Sequence, residues 1–292
     1  MGKCIICNQE KNDLTTEHII PYALGNRGFV INCVCKDCNS KLGDKLDSYV
    51  SNSFIANIFR EQHGLKGQSG KVPVALDNGE LPDGTKVTRK NGKFVSKTRV
   101  KIDDKKIQVS APSLDESIRI VNGILQKRGR KLSKEEYNSF LCNQKTAANQ
   151  EICFHVEIDI NIFIIDLLKI ILETYVFFYG IECVLDDELG NIRKLIYNYI
   201  YSGELDDNFI DSHCFSMNEE SVKLFKVLEK EISKTCKNDV VHALAFIKTE
   251  EHTVVMTWVQ GMLPFVFKIK VSEKYPLNKM ILISKDNGLI EL

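Results

Sequence analysis

Two short stretches decide how the beginning of this chain folds: Cys4-Ile5-Ile6-Cys7 and, after a gap of 27 residues, Cys35-Lys36-Asp37-Cys38. Each CxxC pair sets two sulfurs on one tight turn, and two such turns complete a tetrahedral thiolate site for Zn²⁺. The gap of 27 residues exceeds the ~15–20 of common zinc ribbons, so a further structural unit is expected between the pairs. Four thiolates leave no open coordination position, which makes this zinc structural. Cys33, two residues before Cys35, is expected to pack inside.

Working outward, the composition limits what such a unit can belong to. Lys plus Arg and Asp plus Glu both number 39 in 292 residues, giving a formal net charge of zero. Proteins that coat nucleic acid carry a basic excess, so any nucleic-acid contact here must come from local charge. The N-terminal Met1-Gly2-Lys3-Cys4 lacks the apolar run of an export signal. The most membrane-like stretch, Ile158 to Ile181, is broken by Asp159, Asp166, Lys169 and Glu173. A cytoplasmic protein is expected, with its ten cysteines serving as metal ligands or core residues rather than disulfides.

The patterning describes an α+β chain. Residues 1–63 form the N-terminal unit and 64–70, a Gly/Ser/Gln stretch, a linker. Residues 71–150 combine hairpins, with turns at Asp77-Asn78-Gly79 and Asn91-Gly92, and helices around Ser113 to Arg128 and after the capping box Ser133-Lys134-Glu135-Glu136. Residues 151–292 are helical and then antiparallel β. Between Asn161 and Tyr179, the polar positions Asp166, Lys169 and Glu173 share one narrow face of a mostly buried helix. A second helix is expected over Leu189 to Tyr201. Strands are expected over Val240–Ile247, Thr253–Gln260, Pro264–Val271 and Met280–Ser284, with Trp258 in the core.

Between and after the cysteine pairs stand Thr16-Glu17-His18-Ile19-Ile20-Pro21, Leu24-Gly25-Asn26 and Cys38-Asn39-Ser40-Lys41-Leu42-Gly43-Asp44-Lys45-Leu46-Asp47. An acidic residue before His, an apolar pair and Pro, inside a CxxC frame ending in Cys-Asn, resembles the HNH endonuclease family. The resemblance covers about residues 1–60 and implies a ββα-metal finger: a hairpin, then a helix, clamping one catalytic divalent ion. By the same resemblance His18 is the general base that deprotonates the attacking water. An imidazole with an ordinary pKa near ~6.5 suits that task. Asn39 would hydrogen-bond backbone across the hairpin loop and hold the His in place. Asp47, eight residues after Asn39, and Glu17 would bind the catalytic ion, and carboxylate oxygens suit Mg²⁺ or Mn²⁺. Two points stay open. Neighbours on a strand point to opposite faces, so Glu17 and His18 share the ion only if the strand bends. Asp44 competes with Asp47, since Asp44 as N-cap with Asp47 three residues on is also a sensible helix start.

Residues 86–106 carry nine basic side chains against two acidic ones. They form either a solvated hairpin face or a phosphate-contacting ribbon; Lys90, Lys93, Lys97 and Arg99, with Lys41, are the candidate nucleic-acid contacts. His63, His155, His213, His242 and His252, and Cys142, Cys153, Cys183, Cys214 and Cys236, lack metal spacing and read as structural, surface or core residues. Together these features describe a DNA rather than RNA endonuclease, possible as a homodimer, whose residues 71–292 choose the target or control cleavage. By family analogy its role is restriction or phage defence. The rival readings are a non-catalytic zinc module that binds nucleic acid, and a latent nuclease released by a ligand or protein partner.

Overall fold

The computed structural model describes residues 1–103, 106–142, 151–215, 222, 223, 225, 226, 230, 232, 241–285 and 288–291; Asp104, Lys105 and Cys236 lie outside them. The chain divides into two compact units, Met1–Ala75 with Ile158–Leu292, and Leu76–Glu157. The expected mixture of helix and antiparallel strand is found.

The first unit opens with β1 (Gly2–Lys3) and β2 (Glu10–Lys11), an antiparallel pair around the first CxxC turn. Next come β3 (Leu14–His18) and β4 (Val30–Cys35), also antiparallel. A helix starts at once: α1 (Lys36–Leu42) runs through a π turn, Gly43–Asp47, into α2 (Ser48–Ser51). It is followed by α3 (Phe54–Gln62), whose N-cap Ser53 accepts from Ala56 N–H.

The second unit contains a three-stranded sheet of β5 (Asn78–Glu80), β6 (Lys86–Lys90) and β7 (Lys93–Ser96), and a separate hairpin of β8 (Arg99–Ile102) and β9 (Ile107–Ser110). Two helices follow, α4 (Leu114–Lys127) and α5 (Lys134–Cys142). The Asn91-Gly92 turn closes β6–β7 with φ of 49° and 75°, the all-positive geometry that tight hairpins prefer. The capping box also forms: Ser133 Oγ accepts from Glu136 N–H at 3.1 Å, and Glu136 accepts from Ser133 N–H at 2.9 Å. The turn expected at Asp77-Asn78-Gly79 is instead the start of β5. Gly79 serves close packing, since a Cβ there would stand 2.5 Å from Ile152 Cγ2.

The chain then returns to the first unit with α6 (Ile160–Tyr179), α7 (Asp187–Ser202) and α8 (Asp207–His213). A six-stranded antiparallel sheet completes it, built from β10 (Cys214–Phe215), β11 (Val241–Lys248), β12 (Thr253–Trp258), β13 (Phe265–Ile269), β14 (Lys279–Ser284) and β15 (Gly288–Glu291). Its order is β10-β13-β12-β11-β14-β15.

Helix α6 is the axis of this unit. Every residue from Phe163 to Val176 is buried, and its neighbours include β4, the π turn, α2 and α7. A helix that is apolar almost all round must be covered on every side. The N-terminal finger therefore shares one hydrophobic core with the C-terminal helices and sheet, from Ile5, Ile19 and Leu46 to Leu168, Ile192 and Phe267. The sequence boundaries separated these parts. Leu65 joins the same core, so the 64–70 stretch is anchored rather than a free linker. Trp258 is half-buried on a second apolar cluster, and of the unpaired cysteines Cys183 is buried but Cys142 and Cys153 are exposed, against the reading as core residues.

Candidate nuclease site

The first CxxC turn closes through a hydrogen bond from Asn8 N–H to Cys4 O of 2.9 Å, with Asn8 at φ 58°. The second pair begins α1, with Cys35 as its N-cap residue and Cys38 in its first turn. The four sulfurs of Cys4, Cys7, Cys35 and Cys38 all lie within 4.8 Å of one another, a spacing that suits Zn²⁺ with Zn–S bonds of ~2.3 Å. The Cys4 thiol is held down at about 4, first by the Cys38 thiol and then, against burial, by the N–H groups of Cys35, Cys7 and Ile6. The Cys7 thiol is pushed up to about 11 by burial, and Cys38 is raised, first by its bond to Cys4. Four thiolates this close together repel one another, and a cation among them offsets that repulsion. Helix α7 braces this knuckle. Arg193 donates to Ile6 O at 3.0 Å, and the Tyr201 hydroxyl meets Asp37 and, at 3.5 Å, Cys38 Sγ.

Between the cysteine pairs, the β3–β4 ladder carries a bulge. Thr15 faces Val34 and Glu17 faces Ile31, so Thr16 opposes both Asn32 and Cys33. The bulge precedes Glu17, while Glu17 and His18 pair in regular register with Ile31 and Val30, Glu17 being buried and His18 half-buried. The loop that follows is tied by Asn26. Its Nδ2 donates to Ile20 O at 2.9 Å and Phe29 O at 2.8 Å, and its Oδ1 accepts from Phe29 N–H at 3.0 Å. The bonds across the loop that were expected of Asn39 are therefore made by Asn26. Asn39, on α1 beyond the loop's reach, donates instead to Thr15 Oγ1 and Thr16 O, both at 3.0 Å, and fixes α1 to β3 two residues before His18.

His18 is half-buried, with its ring edge-on to Tyr22 at 5.4 Å between centroids, and Arg27 stands 3.8 Å from the Tyr22 ring. Burial lowers the His18 pKa, the charges of Lys169 and Arg27 add to this, and only Asp47 opposes. The imidazole is held neutral, able to accept a proton.

Asp47 ends the π turn, where one extra residue per turn re-aims the side chains. No helix begins at Asp44; that side chain is exposed, and the helix is already two turns old. Asp47 instead faces Glu17, and both meet a residue from far along the chain. Lys169 Nζ lies 2.6 Å from Glu17 Oε1, a contact of charge rather than an aligned hydrogen bond, and 2.9 Å from Asp47 Oδ1. It also stands 3.4 Å from His18 O and 3.9 Å from Glu173 Oε2. Lys169, Asp166 and Glu173 are all 0% exposed and Glu17 is 3% exposed.

This polar stripe of α6 is thus the rear wall of the site, which the sequence reading of the helix missed. Its signal was visible: charged side chains are almost never fully buried unless paired. Burial lifts the Asp166 and Glu173 carboxyls well above the carboxylate range, with Asp47 adding to the effect on Asp166, and burial also raises Glu17 against the pull of Lys169. Burial opposes the charge on Lys169, but Asp47, Glu17, Glu173 and Asp166 outweigh it, so the ammonium is retained. Neither oxygen of Glu173 has a hydrogen-bond partner among the described residues, and the Asp166 carboxyl meets that of Asp47. Glu17 and Asp47 each bring one carboxylate oxygen to the same point, 2.6 and 2.9 Å from Nζ, and such oxygens are the donors that a hard divalent cation takes.

The remaining candidates lie elsewhere. Lys41 Nζ stands 4.7 Å from the centroid of the Tyr201 ring. Lys90, Lys93, Lys97 and Arg99 are exposed on and beside the strands of the second unit. His242 is buried, with Leu24 O at 3.1 Å and Gln260 N–H at 3.1 Å on its two nitrogens, and His213 pairs with Glu188 at 2.9 Å.

Residues 4–55 match the family model described as HNH endonuclease. That segment contains both cysteine pairs, the bulged hairpin and the helix bearing Asp47, and the family it matches is one of nucleases, enzymes that act on nucleic acid. No curated protein and no solved structure matches the chain.

Proposed function

We propose that the protein is a metal-dependent HNH endonuclease that hydrolyses phosphodiester bonds, in DNA rather than RNA. The observation that carries this reading is the convergence of Glu17 and Asp47 on one cation, at 2.6 and 2.9 Å, beside a neutral His18. His18 takes the proton from the attacking water at an imidazole nitrogen. Asn26 and Asn39 hold the hairpin so that His18 keeps its place, and Zn²⁺ on the four cysteines fixes the knuckle against α1. Glu17 and Asp47 would hold Mg²⁺ or Mn²⁺. Such an ion, when bound, polarises the scissile phosphate and stabilises the leaving oxygen.

The basic ribbon supports a polyanionic substrate. Lys90 and Lys93 oppose each other across the β6–β7 register, a like-charge pair that costs a hairpin stability and that a phosphate offsets. Residues 71–292 then select the target or control cleavage, and a role in restriction or phage defence belongs to the same proposal.

The test is cleavage of DNA and RNA panels with Mg²⁺ or Mn²⁺, comparing wild type with His18→Ala. Loss of a general base costs roughly 10²–10⁴ in rate, and added metal should not restore it. If folded, zinc-loaded His18→Ala cuts as fast as wild type, the active site is not here.

A further inference from the structure

The family segment does not contain the cation that meets Glu17 and Asp47; α6 supplies it. We propose that Lys169 and the divalent ion are alternative occupants of one position, and that Glu173 receives the ammonium when the ion binds. The inference rests on the reading above, in which Glu17 and Asp47 hold that ion.

Three observations carry it. First, the ammonium stands at 2.6 and 2.9 Å from Glu17 Oε1 and Asp47 Oδ1, so an ion taking the same two oxygens at ~2.1 Å needs the space the ammonium fills. Second, Lys169 is fully buried and cannot retreat into water. Third, a second acceptor is already in place. Glu173 lies at i+4 on the same helix face, fully buried, its Oε2 3.9 Å from Nζ and both oxygens without hydrogen-bond donors among the described residues. Asp166, at i−3, is also buried, and its carboxyl meets that of Asp47. A rotation about the lysine's own side-chain bonds hands the ammonium from Glu17 and Asp47 to Glu173. The charge stays among carboxyl groups throughout, which avoids the large penalty of an unpaired buried ammonium. In its place Lys169 bridges the two carboxylates.

The experiment is Mn²⁺ titration of full-length, zinc-loaded protein, followed by the magnetic resonance signal of free Mn²⁺. Lys169→Met removes the competing charge and should tighten binding by roughly tenfold or more, given the strength of a unit charge at this range. Glu173→Gln removes the carboxyl acceptor and should weaken binding, while Asp47→Ala should weaken it far more. A crystal of the Mn²⁺ complex should show Nζ moved onto Glu173. Unchanged or weaker binding by Lys169→Met overturns the exchange while leaving the ion site intact, provided wild type binds and Asp47→Ala binds far more weakly. Failure of both wild type and Lys169→Met to bind Mn²⁺ overturns the ion site and the exchange together. Should Lys169→Met not fold, Glu173→Gln decides alone, and an unaltered affinity there overturns the exchange.

Discussion

Asp44 and Asp47 stand three positions apart on one helical stretch, yet only one of them meets Glu17. The sequence left the choice open because both spacings suit a helix. The π turn Gly43–Asp47 settles their orientation, turning Asp47 inward to Lys169 Nζ at 2.9 Å and leaving Asp44 exposed. Asp47→Ala should therefore lose cleavage through lost affinity for the ion, with partial recovery in excess Mn²⁺, while Asp44→Ala should cut at near wild-type rate. Rates measured over a Mn²⁺ series separate the two, and a damaged Asp44→Ala with an intact Asp47→Ala would reverse the assignment. At this scale, legibility followed sequence distance. Cys4 with Cys7, and Cys35 with Cys38, announce their geometry because three-residue spacing fixes it. Lys169 does not, because it lies 122 residues from Asp47 and only packing brings the two together. Asn26 lay in between: it was part of the motif, but its three loop bonds depend on how Gly25, with φ of 106°, turns the chain.

Among the elements, the zinc knuckle has the fewest resources of its own. β1 and β2 are two residues each, far too short to hold together without the metal. Zinc binding contributes ~10 kcal/mol or more to such small units. Cys35→Ser should lose the one zinc expected per chain and unfold residues 1 to about 40 first, because the two-residue strands around the first cysteine turn depend on the metal. Elemental analysis together with hydrogen exchange checks this; retained zinc, or unchanged protection of β3 and β4, would show the four-sulfur assignment to be wrong. Strands β11 to β14 were legible to within about two residues, since alternation and turn residues bound them, whereas β10 and β15 of the same sheet were not expected. The Asp77-Asn78-Gly79 turn was not, because glycine marks both turns and close approaches, and at Gly79 the neighbour at Ile152 lies 73 positions further along the sequence.

For the whole molecule, the balance of 39 basic and 39 acidic residues throws the burden of holding nucleic acid onto local clusters, one of which is the stretch 86–106 with its nine basic side chains. Replacing Lys90, Lys93, Lys97 and Arg99 with Ala should flatten the dependence of log affinity on log salt by up to ~4 units. Binding measured from low to high salt reads this directly, and an unchanged slope would make the ribbon an ordinary solvated face. The division into units was the least legible feature. The sequence separates the finger from the C-terminal half at a glycine-rich stretch, whereas the helix between them in the core belongs to both. That sharing carries a consequence for descent and engineering. Where a nuclease finger stands alone, it can be cut out and grafted onto another protein as a ready-made blade. Here a fragment ending at Ala75 would leave Ile5, Ile19 and Leu46 facing water and would lose the ammonium behind Glu17 and Asp47. The blade and its handle are one casting, and mutations deep in α6 should be inherited as changes in cutting as much as changes in stability.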